Sequence, residues 1–93
     1  MAQERPVKSV AKFLAEIHVS LKPGVQDPVG RTILENLPDM GLRGVSELTT
    51  GKYFKVGLDA LTEAEAKKLV DKICDQLLAN PNIEVYRFDI KKS

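Results

Sequence analysis

The chain contains one cysteine, one histidine and no tryptophan among its 93 residues. With Cys74 alone no intramolecular disulfide can form, which fits a reducing compartment. One histidine and one cysteine do not furnish a closed metal site unless carboxylates join them, so no bound metal is expected. A formal net charge of +1 gives neither nucleic acid nor an anionic membrane a reason to bind. No apolar run approaches the ~20 residues that cross a bilayer. Residues 1–12 carry charges but lack the apolar centre of a secretory signal, so a cytoplasmic location is expected. What remains, 43% hydrophobic and 29% charged, is the composition of an ordinary globular domain.

Hydrophobic periodicity divides the chain into six elements. Residues 1–11 have no period and read as a flexible extension; residues 12–93 read as one domain. From Phe13 to Leu21 the odd positions are apolar, whereas Glu16, His18 and Ser20 lie on the other face, which predicts a half-buried strand. Leu14 breaks the alternation on the open face. Val29, Ile33 and Leu37 recur every four residues and predict a helix from Pro28 to about Leu37, ended by Pro38 and Gly41. Two strands follow, Val45 to Thr49 and Tyr53 to Leu58, with Thr50-Gly51-Lys52 as the hairpin turn between them. Gly57 inside the second suggests a bulge or close packing.

Thr62 and Glu65 have capping-box spacing and start a second helix. Its predicted core stripe is Ala66, Leu69, Val70, Ile73 and Leu77, with Cys74 on the flank. Asn80 in a left-handed cap and Pro81 end it. A last strand runs from Ile83 to about Ile90. The order is β-α-β-β-α-β. The expected fold class is α+β, a ferredoxin-like sandwich with a four-stranded antiparallel sheet and two helices on one face.

The stretch from Leu21 to Gly30 carries unusual backbone chemistry. Pro23 fixes φ and stops the strand at Lys22, and Gly24 permits a positive φ. Asp27 reads as an N-cap, with Pro28 at the first helical position, where an N–H is not needed. Gly30 in the first turn is unfavourable by roughly 1 kcal/mol against alanine. It is either a tolerated defect or a point of close approach by another backbone or a partner.

No combination of residues forms a self-sufficient active site. His18 is tied to no acid or nucleophile and reads as an ordinary surface histidine. Cys74 reads as a structural thiol. Gly51-Lys52 lacks the earlier glycines and the following Ser/Thr of a phosphate loop. Lys22 near a helix start could attract an anion, but Asp27 opposes one there. The sheet lacks the aromatic-rich strands with which RNA-binding domains of this topology stack bases. The residues describe an interaction or regulatory module, the alternative reading being a ferredoxin-like sensor of small molecules.

Three co-linear segments then supply a resemblance. Leu21 to Gly30 is similar to the L-K-P-G-V-x-D-P-x-G run of the PurS family, the small subunits of phosphoribosylformylglycinamidine synthase. Gly51-Lys52-Tyr53 resembles that family's G-K turn, and Leu77 to Tyr86 resembles its L-L-A-N-P-x-I-E-x-Y helix exit. Departures are the first ten residues, Pro38 where the family more often continues a helix, and Val85 where an acidic residue is common.

The resemblance implies a non-catalytic subunit of an ATP- and glutamine-dependent C–N ligase of purine biosynthesis. A synthetase subunit would use ATP and magnesium, a glutaminase subunit would release ammonia, and this chain would bind no cofactor itself. It would form a dimer or tetramer and bridge the two larger proteins. Lys22, Pro23, Gly24, Asp27, Pro28, Gly30, Gly51 and Lys52 are then the candidate subunit-contact or turn-forming residues.

Overall fold

The computed structural model describes residues 10–93. The expected extension therefore lies largely outside the described residues, and Ala11 already opens the first strand. In chain order the elements are β1 (Ala11–Leu21), α1 (Pro28–Asn36), β2 (Gly51–Ala60), α2 (Glu63–Ile73) and β3 (Glu84–Lys92). A single 3₁₀ turn, Pro38–Met40, follows α1, and a π-turn, Cys74–Leu78, extends α2.

The three strands form one antiparallel sheet in the order β2-β1-β3. The four-stranded sheet expected from the sequence is not formed, because residues 45–49 join no strand. The reason lies at the predicted hairpin. Gly51 and Lys52 are the first residues of β2, paired with Ser20 and Val19, so the chain does not reverse at Thr50-Gly51-Lys52. Without that reversal Val45 to Thr49 cannot fold back along β2.

β1 is the buried centre. Phe13, Ala15, Ile17 and Val19 are each no more than 2% exposed; Val70 of α2 and Cys74 of the π-turn cluster with Ala15, Ile17 and Val19, and Ala66 of α2 is buried as well. Steps of four residues along α2 set this stripe. Cys74 is thus a core residue rather than a flanking one. Leu69 and Leu77, expected in the core, are 43% and 79% exposed; Leu77 falls within the π-turn. Phe54, Val56 and Leu58 on β2, with Tyr86, Phe88 and Ile90 on β3, are half-buried, since one helix covers a three-stranded face only along its middle.

The second correction concerns α1, which does not join α2 on the sheet. Val29 is 62% exposed and Ile33 41%, so most of its apolar stripe is open to solvent, while Leu37 is half-buried. From residue 28 to residue 49 only Gly30 is buried, and only Leu34, Leu37 and Leu48 are half-buried. The segment goes out as α1, turns through Gly41 and Gly44, both with positive φ, and returns extended to Thr50. It forms an arm beyond the end of the sheet, and the described residues span 63 × 28 × 20 Å. No helix among them is long and apolar enough to cross a membrane.

Gly57 shows no bulge. It pairs with Leu14 in continuous register on the open face, and a Cβ there would meet nothing within 4 Å. Leu14 is half-buried between Gly57 and Lys91.

Candidate assembly site

The three segments singled out from the sequence meet at one end of the sheet, where β1 finishes and β2 and β3 begin. Lys22 O accepts from Val25 N–H at 3.1 Å, closing a turn with Pro23 and Gly24 at its centre. Gly24 has φ of +87°, so this is the residue placement of a type II turn. Lys22 N–H donates to Ile83 O at 2.8 Å, which ties the turn to the start of β3.

Asp27 caps α1 as its sequence position predicts, and Pro28 follows at the first helical position. Oδ1 accepts from Gly30 N–H at 3.0 Å. The carboxylate also crosses to the returning segment: Oδ2 accepts from Thr50 N–H at 2.6 Å, and Thr50 Oγ1 lies 2.9 Å from both oxygens. These donors, Gly30 N–H first, hold the Asp27 carboxyl below the usual carboxylate range. Charge on Asp27 fills the N-terminus of α1, which removes it as an anion site.

Gly30 is explained by the same crossing. A Cβ there would stand 2.8 Å from Asp27 Oδ2 and 2.9 Å from Leu48 O, so the close approach is by a backbone of this chain. Gly51 has an equivalent cause, since its Cβ would meet Val19 O at 2.7 Å. A cleft of about 430 Å³ remains between the turn and the returning segment, lined by Lys22, Gly24, Asp27, Glu47 and Thr50 among others.

Lys52 works inside the chain. Its Nζ lies 3.2 Å from Leu78 O and 3.4 Å from Glu84 Oε2, so it clamps the exit of the π-turn to β3. Asn80 N–H donates to Glu84 Oε1 at 2.7 Å. That bond, with Lys52 assisting, holds the Glu84 carboxyl below its ordinary value. Helix termination differs from expectation: Ala79 is extended, and Asn80 Oδ1 accepts from Asn82 N–H at 3.0 Å to build the turn. At the other end of α2, Thr62 Oγ1 accepts from Glu65 N–H at 3.1 Å, the first half of the expected capping box.

Thr50, Leu48 and Glu84 were not among the residues the sequence marked. No local signal pointed to Thr50, because the second oxygen of an N-cap carboxylate can be satisfied by water as well as by a distant donor.

Away from this end, His18 stands on the open face with its ring 5.0 Å from that of Tyr53, whose hydroxyl donates to Glu16 Oε2 at 3.1 Å. Burial and that carboxylate raise the Tyr53 pKa. Cys74 lies in the core, and burial pushes its thiol up, away from the reactive thiolate. Tyr86 donates to Asp71 Oδ1 at 2.5 Å and is pushed up to about 12, chiefly by that bond. Between pH 10 and 12 the folded chain keeps this proton while the unfolded chain releases it, so stability is present below pH 10 and falls as pH rises through the window. Titration of phenolate absorbance should show Tyr86 ionising near pH 12 in wild type and earlier in Asp71→Asn. A Tyr86 transition at pH 10 in the folded chain would refute the bond.

Among the described residues no group of three or more His, Cys, Asp or Glu side chains is placed to hold a metal ion. The site is made of turns, caps and clamps that root an arm with exposed apolar residues at one end of an α+β domain. Residues 14–92 match the family model for PurS, phosphoribosylformylglycinamidine (FGAM) synthase. The chain is 46% identical over 78 residues to the phosphoribosylformylglycinamidine synthase subunit PurS of Synechocystis sp., covering 84% of this chain and 78% of that protein. The crystal structure of Methanocaldococcus jannaschii PurS superposes with a TM-score of 0.78 at 34% identity, covering 87% of this chain and 98% of that one. A chain in the structure of PurLQS from Thermotoga maritima gives 0.77 at 30% identity, with coverage of 88% and 98%. The chain belongs to the PurS family of FGAM synthase subunits.

Proposed function

We propose that this chain is the non-catalytic bridge of a cytoplasmic FGAM synthase, joining its ATP-dependent synthetase to its glutaminase and helping ammonia pass between them. The observation that carries the reading is the arm: a helix beyond the end of the sheet that leaves Val29 and Ile33 of its apolar stripe exposed. Exposed apolar surface of this kind marks interaction surfaces. Among the described residues no strand pairs with the outer edge of β2, and an open edge accepts a strand from another chain. Both features suit self-association into a dimer or tetramer as well as contact with the larger subunits. ATP and magnesium serve the synthetase, whose amide-activating chemistry this chain does not share. The PurLQS complex of Thermotoga maritima, one chain of which superposes on this one, supports that set of partners.

The test is reconstitution. The purified chain should neither hydrolyse glutamine nor cleave ATP, yet glutamine-dependent turnover should require it when synthetase and glutaminase are mixed. Turnover unchanged by its omission would overturn the proposal. Tight binding of an amino acid or nucleotide by the isolated chain would instead support a sensor.

A further inference from the structure

Among the described residues, the hydrogen bonds that join the arm to the rest of the domain are made at its two feet. The hydrogen bonds and ion pairs made by residues 31–49 stay within residues 27–49, among them Arg31 N–H to Asp27 O, Leu42 N–H to Leu37 O and Arg31 to Glu35. One foot is the first turn of α1, the other is Thr50 at the entry to β2. They are linked by the Asp27 carboxylate, which accepts from Gly30 N–H on the first and from Thr50 N–H and Oγ1 on the second. Gly30 lets the two backbones close to contact, its missing Cβ leaving room for Leu48 O.

We propose that Asp27 and Thr50 form the latch that sets the angle of the arm to the sheet, and that Thr50 is thereby a positioning residue for assembly of the complex. With the tie cut, the two legs are held together here only by chain connectivity and the contact of Gly30 with Leu48 O, so the arm gains freedom to pivot. Loss of the latch leaves the apolar stripe intact but spreads it over many orientations. A partner must then select the competent fraction, and apparent affinity falls by that fraction. The inference rests on the bridging role above, but the latch itself can be judged without it.

Thr50→Val removes the hydroxyl and keeps the β-branched shape, whereas Thr50→Ser keeps the hydroxyl. Asp27→Asn turns one accepting oxygen into a donor that opposes an N–H or hydroxyl donor. Amide hydrogen exchange of the full chain should show Gly30 and Thr50 exchanging about tenfold faster in Thr50→Val and Asp27→Asn, the scale of one charged hydrogen bond. Ile17 and Val19 should remain as in wild type. In the reconstituted complex the concentration of small chain giving half-maximal glutamine-dependent turnover should rise about tenfold for Thr50→Val, with the maximal rate recovered at saturation. Thr50→Ser should stay within about twofold, since the hydrogen bond is retained.

Unchanged exchange at Gly30 and Thr50 in both variants would overturn the latch. Faster exchange with an unchanged half-maximal concentration would overturn the positioning role. If wild-type chain proves dispensable for turnover the bridging role fails, while the exchange result still decides the latch.

Discussion

Ile17→Ala is expected to lower the free energy of unfolding by about 2–5 kcal/mol. Ile17 is wholly buried at the midpoint of β1, flanked in register by Phe54 and Phe88, and lies in the cluster that α2 covers with Val70 and Cys74. A single helix roofs this sheet, so no second layer of side chains is available to collapse into the void. Domains of this size have about 5–15 kcal/mol to lose, which makes the variant marginal. Leu77→Ala should by contrast stay within about 0.5 kcal/mol, because Leu77 projects from the π-turn and is 79% exposed. Urea unfolding followed by circular dichroism, at one fixed protein concentration because association would add to stability, compares the two. A loss at Leu77 as large as that at Ile17 would place the core on the other side of α2.

The second large effect is expected at Gly51. Gly51→Ala should destabilise by about 1–3 kcal/mol, since the added methyl meets the Val19 carbonyl in the neighbouring strand. Backbone on both sides is held by the pairing of Gly51 with Ser20 and Lys52 with Val19, so neither can yield cheaply. Gly57→Ala places the same methyl in open space within the same strand. It should stabilise by about 0.5–1 kcal/mol through the smaller entropy lost on folding. Thermal unfolding of both variants gives the contrast; a shift of the same sign in the two would show that steric approach at Val19 is not what requires glycine.

Local rules were readable where one residue decides one contact. Asp27 and Pro28 start α1, Thr62 starts α2, Gly24 takes positive φ, and the alternation from Phe13 to Val19 marks the central strand. The three segments of the family resemblance, far apart in the chain, meet at one end of the sheet. Where the reading failed, a local signal had two tertiary outcomes. Gly51 suits a hairpin turn or a strand pressed against a carbonyl, and only the position of Val19 separates them. Leu77 continues a helical stripe until the π-turn redirects it. Val45 to Thr49 is a short stretch read as a strand, yet a strand needs a neighbour, and β2 runs on from it rather than beside it.

By itself the sequence determined the sites of helix initiation, the central strand and the family. These follow from side-chain chemistry and spacing within about ten residues. Tertiary structure alone decided that three strands form the sheet, that Cys74 is core, and that α1 leaves the sheet as an arm tied through Asp27 to Thr50. Those outcomes depend on which distant backbone donors and acceptors come within 3 Å of each other. A pattern of apolar residues specifies that a face will be covered, and not which chain will cover it.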